Sequence, residues 1–357
     1  MVHGVLLVGC ALVIYLACEG FINAVEWLGV QLNVGPIAVG TILAAVGTAL
    51  PESVVTLVAV TFSGGPHDAD IGVGAAMGGP LVVGTIAYAV VGATLLASRW
   101  AAQQRAAAPP LHRSDPSDRD RLTGDPTEPD VEKATLSGVD TQRLAHDQTW
   151  FLVIFVVKVS LGFLAFAIKP WLGPVFFAIY GLYLWRELRG GGPATESELE
   201  PLKLQRRRAV PTRTAVVAQT VGTLVLIFVA SQLFVRQLDW AGSALGLSPV
   251  VVALLLSPVA TELPETINAL IWVRQGKTQL ALANISGAMM IQATIPSGLG
   301  LLFTPWAFTT PLLLAGITTT AAISYLLVLL RTQRLTPWRL TTAALFYGAF
   351  ALGLTTT

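Results

Sequence analysis

Charge is scarce in this sequence. Asp, Glu, Lys and Arg make up 12% of its 357 residues, about half the roughly 25% of a soluble domain. So few charges cannot clothe a chain of this length in a water-facing surface. Cysteine is scarcer still. Cys10 and Cys18 are the two present, and no CxxC or Cys/His cluster exists, which argues against a disulfide framework and a structural zinc site. The four histidines, His3, His67, His112 and His146, read as lying outside the spans, and there is no HExxH. An intramembrane hydrolase, which needs Ser/His, paired Asp or zinc ligands at depth, therefore has no visible machinery, and the expectation is a protein that is not an enzyme. The N-terminus lacks a basic n-region and an Ala-x-Ala cleavage site, so residues 3–28 are expected to be a retained first span. The net charge of +1 says nothing about nucleic acid, because the basic residues sit where membrane topology would put them, and no nucleic-acid partner is expected.

What fills the sequence is apolar. Hydrophobic residues make up 54%, and mean hydropathy is +0.67. The charge that exists is gathered in two segments, roughly 99–149 and 186–213. The rest divides into ten candidate membrane helices: 3–28, 35–62, 70–98, 150–168, 171–188, 210–235, 244–272, 278–302, 305–330 and 338–355. Five spans precede the second hydrophilic segment and five follow it. An odd number per half turns the second half upside down relative to the first, as in the inverted repeats of secondary transporters. The expected organisation is a first five-helix repeat over 1–98 and 150–188 and a disordered cytoplasmic loop over 99–149. A cytoplasmic linker over 189–209 leads to a second five-helix repeat over 210–357. With both termini outside, Arg99, Arg105, Arg186, Arg189, Lys203, Arg206, Arg207, Arg208, Arg213, Arg274, Lys277, Arg331, Arg334 and Arg339 fall on the cytoplasmic side, against Lys169 and Arg236 outside.

The two halves share a motif. Leu50-Pro51-Glu52 recurs as Leu263-Pro264-Glu265, an offset of 213 residues. In the same register Trp27 falls on Trp240, Gly29 on Gly242, Leu32 on Leu245, Pro36 on Pro249 and Thr48 on Thr261. A carboxylate inside an apolar span is costly, and a cation or proton is the expected reason for it. Proline removes a backbone donor and frees the carbonyl four residues upstream, that of Gly47 in the first copy. An unwound turn, a threonine and a carboxylate together offer oxygen ligands. The alternative is a plain proline kink. The second copy adds Glu262, three residues before Glu265 and so on the same helical face. Two small-residue helices follow, Gly72 to Pro80 and Ala281 to Gln292. Asn284 and Gln292 there could bind an ion or make interhelical hydrogen bonds. Glu19 and Asn23 could line an access path or pack at an interface. No Lys or Arg is read beside the three central carboxylates.

These residues resemble the cation/calcium exchanger superfamily, the sodium/calcium antiporters and their proton-coupled relatives. In that family each inverted repeat carries Gly-Thr-Ser-x-Pro-Glu. Gly47-Thr48-Ala49-Leu50-Pro51-Glu52 and Ala260-Thr261-Glu262-Leu263-Pro264-Glu265 match it, as does the preceding Leu245-Gly246-Leu247-Ser248-Pro249. The resemblance implies Glu52 and Glu265 as central ligands, Thr48 and Thr261 as carbonyl positions, and Asn284 and Gln292 as amides of the second element. Ala49 and Glu262 stand where the family has serines, and Gly79 and Val83 offer no side-chain oxygen in the first repeat. The implied function is a secondary active cation antiporter that exchanges calcium or another divalent cation for sodium or protons by alternating access. A monovalent sodium/proton exchanger and a non-transporting scaffold are the alternatives. Its partners would be inorganic cations and the lipid bilayer, with no resident cofactor, in a monomer of the cell membrane.

Overall fold

The structure is a computed structural model that describes residues 2–33, 35, 38–61, 68–107, 136, 138–164, 168–190, 199–244, 255, 258 and 261–354. The described residues form helices and connecting turns, with no strand among them. Helix α1 is Val2–Gln31. A π-helical turn, Val39–Ala44, leads into α2, Ala45–Thr61. Helix α3, Asp68–Val82, passes through a second π-helical turn, Val83–Ala87, into α4, Tyr88–Ala107. Then come α5, Thr141–Leu161, and α6, Gly173–Gly190, followed by α7, Arg213–Ala244. Helices α8, Leu263–Arg274, and α9, Thr278–Phe303, are joined by a tight turn. The chain closes with α10, Thr310–Arg331, and two short helices, α11, Pro337–Thr341, and α12, Ala344–Leu354.

Six helices among these residues are long and apolar enough to cross a membrane: His3–Gln31, Val73–Gln104, Thr141–Leu161, Arg213–Phe234, Thr278–Phe303 and Thr310–Arg331. They coincide with six of the ten expected spans. Within the stretches of the other four expected spans the described helices are shorter: Val39–Ala44 with α2, then α6, α8, and α11 with α12. Exposure fits a lipid environment. On α7, Val217, Val221, Val225, Val229 and Leu233 are all exposed at a spacing of four, which places them along one side of the helix. Val5, Val8, Leu12 and Leu16 of α1 are exposed at spacings of three and four, again along one side. Such apolar stripes are costly in water and neutral against acyl chains. Between their outward stripes, α1 and α7 pack along each other more extensively than any other pair of helices. His3 Nδ1 meets Gln237 Oε1 at 2.7 Å and its ring stacks on Trp240, which fastens one end of that pair.

Helix α9 is the centre of the molecule. It is the most completely buried of the six long helices and contacts α2, α3, α5, α6 and α8. Glycine permits its closest approach. A Cβ built on Gly287 would lie 2.2 Å from the Thr41 carbonyl oxygen, so only hydrogen fits between α9 and the π-helical turn before α2.

Several expectations are corrected. Residues 99–107 continue α4, and 141–149 begin α5, so the loop expected over 99–149 is helical at both ends; residues 108–135 and 137 lie outside the described residues. Arg143, His146, Asp147 and Gln148 interrupt the apolar run, but Asp140 caps the helix by accepting from the Arg143 N–H at 2.9 Å. His3 and His146 therefore sit within helices. The linker over 189–209 is a packed element where it is described. Leu202 is fully buried. Trp27 Nε1 donates to Glu200 O at 2.8 Å, Lys203 N–H donates to Asn23 Oδ1 at 2.9 Å, and Lys203 Nζ pairs with Glu19 at 2.8 Å. Glu19 and Asn23 thus hold the linker against α1, which favours their interface reading. Finally, Lys158 on α5 is fully buried, so the interior of the bundle does contain a lysine.

Candidate functional site

The two copies of Leu-Pro-Glu fold differently. In the first, α2 runs helically through Pro51, and the irregular turn lies at Val39–Ala44 instead of beside the proline. Thr48 is buried and its hydroxyl donates to the Ala44 carbonyl at 3.0 Å. Glu52 lies within α2, and its side chain is outside the described residues. In the second copy the break falls on Glu262. Its φ and ψ are −88° and 4°, the bridge region between regular structures. Glu262 N–H donates to Pro258 O at 3.0 Å, and Thr266 N–H donates to Glu262 O at 3.1 Å. Proline at 264 is accommodated there because the first turn of a helix needs no N–H from it. Thr261 gives its hydroxyl to Pro258 O at 3.2 Å. Leu245 to Pro249, and Pro36 in the first copy, lie outside the described residues.

Glu262 and Glu265 are each 1% exposed. Helix α9 lies beside them and brings both of the expected amides. Gln292 Nε2 donates to Glu262 Oε2 at 2.6 Å. Asn284 Nδ2 donates to the backbone carbonyl of Glu265 at 3.4 Å. Gln292 and Asn284 are eight residues apart, about 12 Å along one face, and they meet α8 in antiparallel order. Both amides are fully buried. Asn284 Oδ1 has no hydrogen-bond partner among the described residues, and neither polar atom of Asn268 has one. Asn268 lies one turn beyond Glu265, is fully buried, and belongs to the same group. Buried amide atoms left open are costly, and these lie on the two helices that carry Glu262, Glu265 and Gln292. Ala288 and Ile291 of α9 pack against Ala45 and Ala49 of α2, on the face of α9 that also carries Asn284 and Gln292. Helix α9 therefore contacts both helices that carry Leu-Pro-Glu, and α2 and α8 also touch each other. Glu262, Glu265, Asn284 and Gln292 are brought together, while the threonine hydroxyls of Thr48 and Thr261 are spent on carbonyls of their own turns.

The sequence matches the family described as sodium/calcium exchanger protein over residues 2–188 and 215–356, nearly all of both halves. The chain belongs to the sodium/calcium exchanger protein family. It is a multi-pass membrane protein of an ion-exchanger family and not an enzyme. This exchanger-family chain is 25% identical over 302 residues to a protein of Alkalimonas amylolytica named "Putative antiporter CaxA", covering 84% of this chain and 80% of that one. Its fold is that of the sodium-calcium exchanger NCX_Mj. It superposes on a form soaked with sodium and calcium with a TM-score of 0.68 at 16% identity, covering 99% of this chain and 98% of the other. A form soaked with sodium and strontium gives 0.69 at 17% identity, over 97% and 96%.

Two polar groups escaped the sequence reading. Glu26 of α1 is held by Lys277 Nζ at 2.6 Å and by Trp272 Nε1 at 2.9 Å, which ties α1 to the turn between α8 and α9. Near the start of α5, Asp147 is buried and accepts from Ser286 of α9, while Glu187 of α6 pairs with Arg143 and accepts from the Thr41 hydroxyl at 3.2 Å. Their sequence signal is weak, since each residue sits at the edge of a hydrophilic segment and reads as solvated.

Proposed function

We propose that this protein is a secondary active cation antiporter that exchanges calcium, or another divalent cation, for sodium or protons by alternating access. The observation that carries this reading is the pair Glu262 and Glu265, both buried, set at a broken membrane helix and faced by Asn284 and Gln292. Two carboxylates with amide oxygens form the hard oxygen environment that a calcium-like cation takes. In this reading Glu52 joins them from α2, so that each repeat contributes a carboxylate. Thr48 and Thr261 contribute backbone carbonyls. Cargo is bound transiently and no resident cofactor takes part. Substrate crosses as the two five-helix repeats, ten spans in inverted arrangement, rock about the site.

Glu262 bears on the coupling ion. Two carboxylates three residues apart repel each other at depth, and a proton competes with the cation for the pair. Proton coupling follows from this repulsion. In this reading the protein is a monomer of the cell membrane with both termini outside, an orientation supported by the basic residues, which then collect on the cytoplasmic side. The test is ion flux in proteoliposomes holding the purified protein, with calcium, sodium and pH gradients varied one at a time. Calcium uptake driven by an outward sodium or proton gradient is the expected result. No gradient-driven flux of any cation would leave a scaffold as the better reading.

A further inference from the structure

The first turns of α5 and the last turns of α6 enclose a cavity of about 250 Å3. Pockets for drug-sized ligands hold roughly 300–1,000 Å3, so this one suits a small polar group. Its interior and its rim differ in charge. Asp147, Glu187 and Tyr183 line it and are buried, whereas Arg186 and Trp185 line it and are exposed, with Trp150 half-buried beside them. Arg143 is spent on Glu187. The Asp147 carboxylate accepts one hydrogen bond among the described residues, from Ser286 Oγ at 3.5 Å, although a carboxylate offers about four acceptor positions. Tyr183 Oη lies within electrostatic reach of both carboxylates and has no hydrogen-bond partner among the described residues. A buried hydroxyl left open is costly, and this one belongs to a wall of the cavity.

A bare cation would use the acidic interior and leave Arg186 aside, and an anion would meet Asp147. A ligand with both charges a few bonds apart, ammonium inward and phosphate outward, uses the whole cavity. The rim continues into apolar surface. Trp150, Val153 and Val157 follow one another on α5 at spacings of three and four, and Val175, Leu182 and Trp185 on α6 at seven and three. All of these except Trp150 are exposed, and tryptophan is favoured where a membrane meets water. We propose that the cavity between α5 and α6 binds the phosphoethanolamine headgroup of a membrane phospholipid. The ammonium donates to Asp147 and to Tyr183 Oη, the phosphate lies against Arg186, and the acyl chains follow the two apolar stripes. The lipid then braces α5 and α6 against the core, because Asp147 holds Ser286 of α9 and Glu187 holds the Thr41 hydroxyl at 3.2 Å. This site belongs to the folded chain and does not rest on the exchange reading above.

The test uses the full-length protein, stripped of lipid and returned to detergent micelles that carry phosphatidylethanolamine, phosphatidylcholine or phosphatidylglycerol with the same acyl chains. Thermal midpoints and native mass spectra are recorded. Phosphatidylethanolamine should raise the midpoint and leave a single lipid retained. Phosphatidylcholine, whose nitrogen carries no N–H, and phosphatidylglycerol, which has no ammonium, should do neither. Asp147→Asn should abolish the preference for phosphatidylethanolamine. Tyr183→Phe takes away one acceptor for the ammonium and should weaken its binding about tenfold. Equal responses to the three lipids overturn the proposal and leave a nonspecific lipid shell. So does an unaltered preference in Asp147→Asn, or in Tyr183→Phe where Asp147→Asn does not fold. Glycerophosphoethanolamine, the headgroup without its chains, should leave the midpoint unchanged at the lipid's concentration; a rise equal to the lipid's would give the cavity to a soluble zwitterion and overturn the lipid assignment.

Discussion

Gln292 donates to Glu262 at 2.6 Å, from the middle of α9 to the residue where the helix before Leu263-Pro264-Glu265 breaks. Both residues are buried, and they lie thirty positions apart in the chain. A hydrogen bond to a charged group contributes about 1.5–3 kcal/mol. Replacing Gln292 with Leu removes that donor from a buried carboxylate. The variant should unfold at a lower temperature in detergent and exchange cations with reduced affinity, while Gln292→Asn, with its shorter reach, should fall between. A Gln292→Leu protein as stable and as active as the wild type would show that the bond contributes nothing.

The paired carboxylates give the sharpest outcome. Glu52→Gln and Glu265→Gln each remove one charged oxygen ligand and keep side-chain volume. Each is expected to abolish exchange in proteoliposomes and to leave a single monodisperse peak in detergent. Near-normal exchange in either variant would move the transport site elsewhere.

Glu262 separates the coupling ions. If a proton competes with the cation for the pair Glu262 and Glu265, cation uptake weakens as pH falls through the range in which the pair titrates, and recovers as it rises. Glu262→Ser removes one of the two carboxylates and should flatten that profile. Uptake against pH, with and without a sodium gradient, is the measurement. A mutant profile that overlays the wild type removes Glu262 from the coupling.

Packing at α9 is open to a direct test. Gly287 leaves no room for a Cβ against the Thr41 backbone, so Gly287→Ala must push the π-helical turn before α2 away from α9. Overpacking of this kind costs about 1–3 kcal/mol. A lower thermal midpoint is expected, together with lost exchange, because α2 carries Glu52. An unchanged midpoint would mean that the turn yields freely.

The proposed orientation rests on charge alone and is tested by labelling. With Cys10 and Cys18 replaced, single cysteines at Ser117 and at Ser197 should resist an impermeant thiol reagent in intact cells and react after permeabilisation. Reaction in intact cells would invert the topology.

The sequence by itself determined the membrane class and the all-helical fold, and it marked out Glu52, Glu262 and Glu265 as candidates. Bilayer thickness demands long apolar runs, and these are written contiguously. The duplicated Leu-Pro-Glu stands out for the same reason, since a carboxylate is conspicuous against apolar neighbours. Helix ends beside polar residues were less legible. Asp147 reads as solvated until the packing of α5 is seen to bury it. Which polar residues meet was decided only by tertiary structure. Lys203 on Asn23, Lys158 on Ala76 and Gln292 on Glu262 are separated by 180, 82 and 30 residues, and no local periodicity encodes such pairings. They arise because buried donors and carbonyls must be matched across helices once the packing is fixed. The position of the break in each repeat was settled in the same way. Both copies carry the proline, yet only the second has its irregular turn beside it, because what each helix packs against determines where its backbone yields.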